Sequence, residues 1–361
     1  MKKYLFVLFC LISCEEEIFI NFPQESVKIV VEGGIEKGMP PYVYLTKSQT
    51  YFANIDTNTY KNLFVTDAEV IVWTTFENGM TDSIYLEKIP DYSLPLYTYL
   101  PYWYSLQNST YAVEDPFFKN WSKENRSYNL IVKWNNNEIT SQTTIPNSTT
   151  LDCLWVEKSD FPVRENRFNI KGIYNDPFDM QNNVLIKTRR LEHWKIDSLA
   201  GEIPQTICTS DPSLNLIDVS SDILINGSQA ELGFFREKTD GNRGKWRGEK
   251  WKKFYKVDEI LDSTRLLPSS YYYTHLKNDV ALIKFSQIDI NSFRFWRSIV
   301  RFNGLEGNPF EEPSNIISNI EGGYGGWVGC GAVYYKIPIK EGYSTNSPLP
   351  LDSIEIIDVF Q

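Results

Sequence analysis

Short apolar runs, rich in β-branched and aromatic residues and bounded by Gly, Pro and Asn, recur along almost the whole chain and predict strands. Val27–Val31 (VKIVV) leads to Gly33-Gly34. Tyr42–Leu45 follows Pro40-Pro41, and Glu69–Trp73 runs towards the turn signal Asn78-Gly79. Ser83–Leu86, Tyr97–Leu100 and Tyr128–Trp134 continue the series. Asn135-Asn136-Asn137 then makes a tight turn into Glu138–Ile145, which closes at Pro146. Strands of this length predict an antiparallel sandwich of about seven strands, immunoglobulin-like in class, over residues 26–147.

Residues 148–361 read as a larger antiparallel β domain. Its strands are expected at Phe168–Ile173, Asn183–Leu191, Ala230–Phe235, Trp251–Val257, Ser270–Leu276, Val280–Phe285, Gly331–Ile339 and Ser353–Val359. One segment changes period. Phe293, Trp296 and Val300 are spaced by three and four, Asp289 stands where an N-cap belongs, and Gly304 can end the turn. A single helix over 289–303, packed on the sheet, is expected. The whole is all-β in class, with that one exception.

Composition narrows the partners more than the fold. The chain has 361 residues, 42% of them hydrophobic, enough for a core and for two domains. A net charge of −10 argues against nucleic acid as a partner. The 22 Tyr, 21 Phe and 10 Trp suit strands, and also suit a surface that binds partners. Of the five cysteines, Cys153, Cys208 and Cys330 lie in the body; no CxxC occurs and only two histidines are present, so neither a structural zinc site nor any cofactor is expected. One disulfide and three free thiols are both compatible with this spacing.

The first residues depart from the strand pattern. Lys2 and Lys3 precede the unbroken apolar run Tyr4–Ile12, which is far shorter than the roughly 20 residues a spanning helix needs. Leu11-Ile12-Ser13-Cys14 resembles the lipobox of bacterial lipoproteins. It implies a signal peptide over 1–13, a lipid on Cys14 and a tether over 14–25. Several acyl chains on one residue anchor stably where one does not. Glu15, Glu16 and Glu17 look like the surface-export signal of Bacteroidota lipoproteins, although a solvated tether is acidic for simpler reasons. The expected location is the outer membrane, lipid-anchored and facing the cell exterior.

Several segments together resemble an outer-membrane lipoprotein family of Bacteroidota known as domain of unknown function four-two-four-nine. They are VKIVVEGGI, PPYVYLTKSQ, TDAEVIVW, YNLIVKW and ITSQTTIP, then Asn308-Pro309-Phe310, Pro313, Ser314-Asn315-Ile316, Ser318-Asn319-Ile320 and Gly322-Gly323-Tyr324-Gly325-Gly326-Trp327. The segment from Leu191 to Leu266 matches weakly. The resemblance implies an accessory of a TonB-dependent outer-membrane receptor in nutrient uptake, and it implies no catalytic residues.

Local constellations add little chemistry. The glycine-rich stretch Gly322–Gly331 lacks the context of a phosphate loop. With Asn308, Pro309, Phe310, Asn319, Tyr324 and Trp327 it is a candidate ligand or partner loop, with Trp327 as an aromatic platform. The simpler reading is a bend where glycine permits close packing. Arg236–Lys256 alternates cations and aromatics, as a glycan or polyanion site would, yet a solvated hairpin explains it. Asn175–Asn183 is oxygen-rich but does not have calcium-loop spacing, and an Asp-Pro turn suffices. No GxSxG or HExxH occurs, so a non-enzymatic role is expected. The alternatives are a stand-alone glycan- or protein-binding adhesin and a sandwich glycosidase or peptidase.

Overall fold

The computed structural model describes residues 26–49, 62–90, 102–105, 116–158, 168–178, 182–197, 205–210, 216–221, 226–234, 251–252, 272–275, 280–304 and 315–350. The signal segment, the tether, the strands expected at Tyr97–Leu100 and Ser353–Val359, and most of the Arg236–Lys256 segment lie outside the described residues.

The chain is mainly β. The first part holds β1 (Ile29–Glu36), β2 (Tyr42–Lys47), β3 (Glu69–Thr75), β4 (Thr81–Pro90), β5 (Tyr102–Ser105), a short helix α1 (Pro116–Trp121), β6 (Arg126–Trp134) and β7 (Asn137–Ile145). The second holds β8 (Cys153–Lys158), β9 (Phe168–Asn175), β10 (Asn183–Asp197), β11 (Gln205–Ser210), β12 (Leu216–Ser221), β13 (Gln229–Gly233), β14 (Trp251–Lys252), β15 (Tyr272–His275), β16 (Val280–Ile288), α2 (Ile290–Gly304), β17 (Tyr324–Pro338) and β18 (Ser344–Thr345).

One hydrogen-bonded path runs β14-β15-β10-β16-β17-β1-β2-β5-β4-β3-β6-β7, with β11 and β12 also paired to β10. It folds over at β4. The Thr81–Leu86 half of β4 pairs with β3, whereas Glu87–Pro90 pairs with β5. The four strands β4-β3-β6-β7 therefore lie as a second layer on β1, β2 and β5. Alternation places Val70, Val72, Tyr128, Leu130, Val132, Ile139 and Ile145 from one layer against Ile29, Val31, Ile35, Val43 and Leu45 from the other. Trp121 of α1 plugs the end of this core. Its indole N–H donates to Asp82 (3.0 Å), and the Tyr128 hydroxyl donates to its carbonyl (2.7 Å).

The larger sheet is mixed, not purely antiparallel, because β1 runs parallel to β17 over Val30–Glu36 and Tyr324–Cys330. The sheet thus continues across the expected boundary at residue 147. β16 sits at its centre and is buried on both faces. Ala281, Ile283 and Phe285 of β16, with Tyr335 and Ile337 of β17, pack on the small antiparallel sheet β13-β9-β8-β18. The opposite face carries α2. Asp289 caps that helix by accepting the Ser292 amide (2.8 Å), and Phe293, Phe295, Trp296 and Ile299 turn inward. Among the described residues no helix is long and apolar enough to cross a membrane.

Candidate functional site

The face of the sheet under α2 should be wholly apolar, since strand and helix both bury it. It is not. Strand alternation puts Glu32 and Glu36 of β1, Lys187 of β10, Lys284 of β16, and Cys330 and Tyr334 of β17 on that one side. All of them but Tyr334 line a cavity of about 30 Å³, whose lining also includes Gly33, Gly34, Tyr42, Gly326 and, from the helix, Phe295 and Trp296. That is roughly twice the 10–15 Å³ a single water needs. Glu32 is the exposed member of the lining and marks the mouth.

Two interactions organise the interior. Lys284 is 3% exposed and pairs with Glu36, which is 6% exposed and also accepts the Tyr334 hydroxyl. Burial pulls the Lys284 ammonium below the ordinary lysine range. It pushes the Tyr334 phenol well up. Lys187 lies directly opposite Lys284 across the β10–β16 ladder. Its ammonium stands 4.6 Å from the centroid of the Trp296 ring and makes no ion pair or hydrogen bond among the described residues. Burial lowers its pKa too, and Cys330 and, less strongly, the Glu32 carboxylate only partly offset this. The Trp296 indole N–H is buried without an acceptor. The Cys330 thiol in the same lining is free; burial raises its pKa, against the pull of Lys284 and Lys187.

The roof of this cavity is fastened to the sandwich. Besides capping α2, Asp289 accepts the Thr143 hydroxyl and the Thr144 amide (2.9 Å) of β7. Thr143 in turn accepts the Gly329 amide of β17 (2.7 Å).

The candidate loop read from the sequence is dispersed. Cys14, Glu15, Glu16 and Glu17, like Asn308, Pro309 and Phe310, lie outside the described residues. Trp327 is fully buried in the sandwich core, with its indole N–H on the Tyr128 carbonyl (3.2 Å), so it offers no platform to a ligand. Asn319 is turned inward as a clamp: its side chain accepts the Trp327 amide (2.9 Å) and donates to the Trp327 carbonyl (2.7 Å). Of the described members of this group, Tyr324 is open, at 40% exposure, with the Lys28 ammonium 4.8 Å from its ring. The glycines serve packing. A Cβ at Gly329 would sit 2.3 Å from the Thr144 carbonyl, and one at Gly331 would sit 2.3 Å from that of Pro146.

The oxygen-rich Asn175–Asn183 segment is also structural. Asp176 accepts the Tyr174 hydroxyl (2.9 Å), the Asn182 amide (3.0 Å) and the Gly227 amide (3.1 Å), which leaves its oxygens facing donors. The described residues contain no group of three acidic, His or Cys side chains placed for a metal.

Sequence reasoning missed Lys187, Lys284 and Glu36. A signal was present. Each lysine follows Leu-Ile inside an apolar strand, as Leu185-Ile186-Lys187 and Leu282-Ile283-Lys284. A cation at such a position must be paired, neutral or waiting for a partner.

A family model described as "Domain of unknown function (DUF4249)" matches residues 15–336. No curated protein matches.

Proposed function

This chain belongs to the DUF4249 family, and from that premise we propose that it is a non-enzymatic, ligand-binding accessory of a TonB-dependent outer-membrane receptor, held by lipid on Cys14 and facing the cell exterior. The observation that carries the reading is the N-terminal sequence. Two lysines, a nine-residue apolar run, Ser13, Cys14 and an acidic triplet follow in the order that lipoprotein export requires. The receptor partnership rests on the resemblance to outer-membrane lipoproteins. The ligand-binding part draws support from the cavity under α2, which has unsatisfied donors and an exposed mouth.

Two measurements test this function. Cys14→Ala should abolish palmitate incorporation and leave the precursor uncleaved; labelling that persists in the variant removes the anchor. Chemical crosslinking on intact cells, followed by purification of the chain, should recover a TonB-dependent receptor. Recovery of the chain alone from crosslinked outer membranes overturns the accessory role.

A further inference from the structure

The cavity under α2 is lined by two lysines and two carboxylates, yet only one lysine is in contact with a carboxylate. Lys187 and Lys284 are direct cross-strand neighbours on a covered face, where like charges repel. Glu36 is engaged by Lys284 and Tyr334 together. Glu32 faces solvent at the mouth and makes no contact of ion-pair length with Lys187. Among the described residues, one ammonium therefore lies without a counter-charge in contact, beside a buried indole N–H that also has no acceptor.

Stability alone would not select this arrangement. A leucine or methionine at position 187 would fill the same space without desolvating a charge. What the interior lacks is an anionic acceptor in contact with both the Lys187 ammonium and the Trp296 N–H, since Glu32 stays at the mouth.

The floor leaves room for it. Gly34 and Gly326 line the cavity where a side chain would crowd its walls. A Cβ at Gly326 would meet the Phe295 ring at 2.4 Å, and one at Gly34 would meet the Val328 carbonyl at 3.1 Å. A volume of about 30 Å³ admits a carboxylate group but not a sugar or a peptide.

We infer that this cavity binds the carboxylate of a small organic acid, with Lys187 as its counter-charge and the Trp296 indole N–H as its hydrogen-bond donor. The inference rests on the ligand-binding part of the function proposed above and gives that ligand a chemical class. Lys284 and Glu36 hold the inner wall, and Glu32 at the mouth disfavours multiply charged anions such as phosphate.

The test uses the mature chain without its lipidated cysteine, residues 15–361, and titrates formate and acetate by calorimetry with chloride and phosphate in parallel. Saturable 1:1 binding of formate or acetate is expected. Lys187→Met should weaken it at least tenfold, Trp296→Phe should weaken it severalfold, and Lys336→Met on the exposed end of β17 should leave it unchanged. Lys187→Met should also unfold no earlier than the parent, which separates lost binding from lost fold. Absence of saturable carboxylate binding overturns the inference. So does binding that survives Lys187→Met, or a preference for phosphate or chloride over both carboxylates. Receptor crosslinking is scored separately. Carboxylate binding without receptor recovery leaves this site standing and removes the accessory role.

Discussion

Gly329→Ala should be among the most damaging single-methyl additions in the protein, and its cost can be worked from the backbone. The new Cβ would lie 2.3 Å from the Thr144 carbonyl oxygen, 2.6 Å from its carbon and 3.0 Å from the Ile145 nitrogen. All three atoms belong to the main chain of β7, so no rotamer change relieves the clash. β7 must retreat by about 1 Å to reach ordinary contact, and overpacking of this kind costs roughly 1–3 kcal/mol. The retreat also stretches the Gly329 amide bond to Thr143, now 2.7 Å, a loss of about 1 kcal/mol. A total of roughly 3 kcal/mol follows. Two other glycines calibrate it. Gly79 has φ +79° with nothing within 4 Å of a Cβ, so Gly79→Ala should cost only the left-handed strain of about 1–2 kcal/mol. Gly233 has open space and no positive φ, so Gly233→Ala should be neutral or stabilise by about 0.5 kcal/mol through the unfolded chain. Urea unfolding of the mature body, followed by tryptophan fluorescence, should rank the variants in that order at constant m. A Gly329→Ala loss no larger than that of Gly79→Ala would refute the claim that close strand crossing fixes these glycines.

Two further predictions concern charges. Glu36→Leu strands Lys284 without its carboxylate and should destabilise by roughly 3–5 kcal/mol, while the double variant Glu36→Leu/Lys284→Met should recover most of that; a double variant as unstable as the single one would show that the pair is not coupled. Glu124 governs part of the acid limb: burial pushes its carboxyl up, but the Ser148 hydroxyl and amide and the Lys37 ammonium (3.0 Å) outweigh that and hold it below the usual value. A lowered folded pKa means its stabilisation is complete above the ordinary value of 4.5 and is lost as pH falls through the lower folded one, so Glu124→Gln should flatten the stability–pH curve below pH 4.5, and an unchanged curve would sink the assignment.

The sandwich was legible because each of its strands buries one face. Tyr128, Leu130 and Val132 alternate with polar residues in β6, as Ile139, Ser141, Thr143 and Ile145 do in β7, and the Asn135-Asn136 turn takes the positive φ its residues favour. The helix was legible from its cap and its spacing. The parallel pairing of β1 with β17 was not, because no local pattern reports the register of strands some 290 residues apart. β17 itself was read as starting at Gly331, whereas it starts at Tyr324. Glycines that serve close crossing look, in one dimension, like glycines that serve a bend. Trp327 is hard to place for the same reason: an aromatic among glycines resembles an exposed platform, but its side of β17 faces the sandwich core.

The cavity was hidden by the same geometry that builds it. Glu36 comes from the first strand, Lys284 and Tyr334 from strands about 250 to 300 residues later, and α2 closes the roof. No spacing rule connects them. What the sequence did hold was a pair of local contradictions, two lysines inside Leu-Ile runs of strands that are otherwise buried on both faces. Glu36 resolves one of these contradictions; the other, Lys187, meets only an aromatic face among the described residues. The helix over it is held by Asp289, whose carboxylate also fastens β7, and β7 in turn packs against the glycines of β17. The site and the joint between the two halves therefore share one set of contacts. The first part of the chain alone would lose both its parallel strand and the cavity, because each wall of that cavity needs the other half to exist.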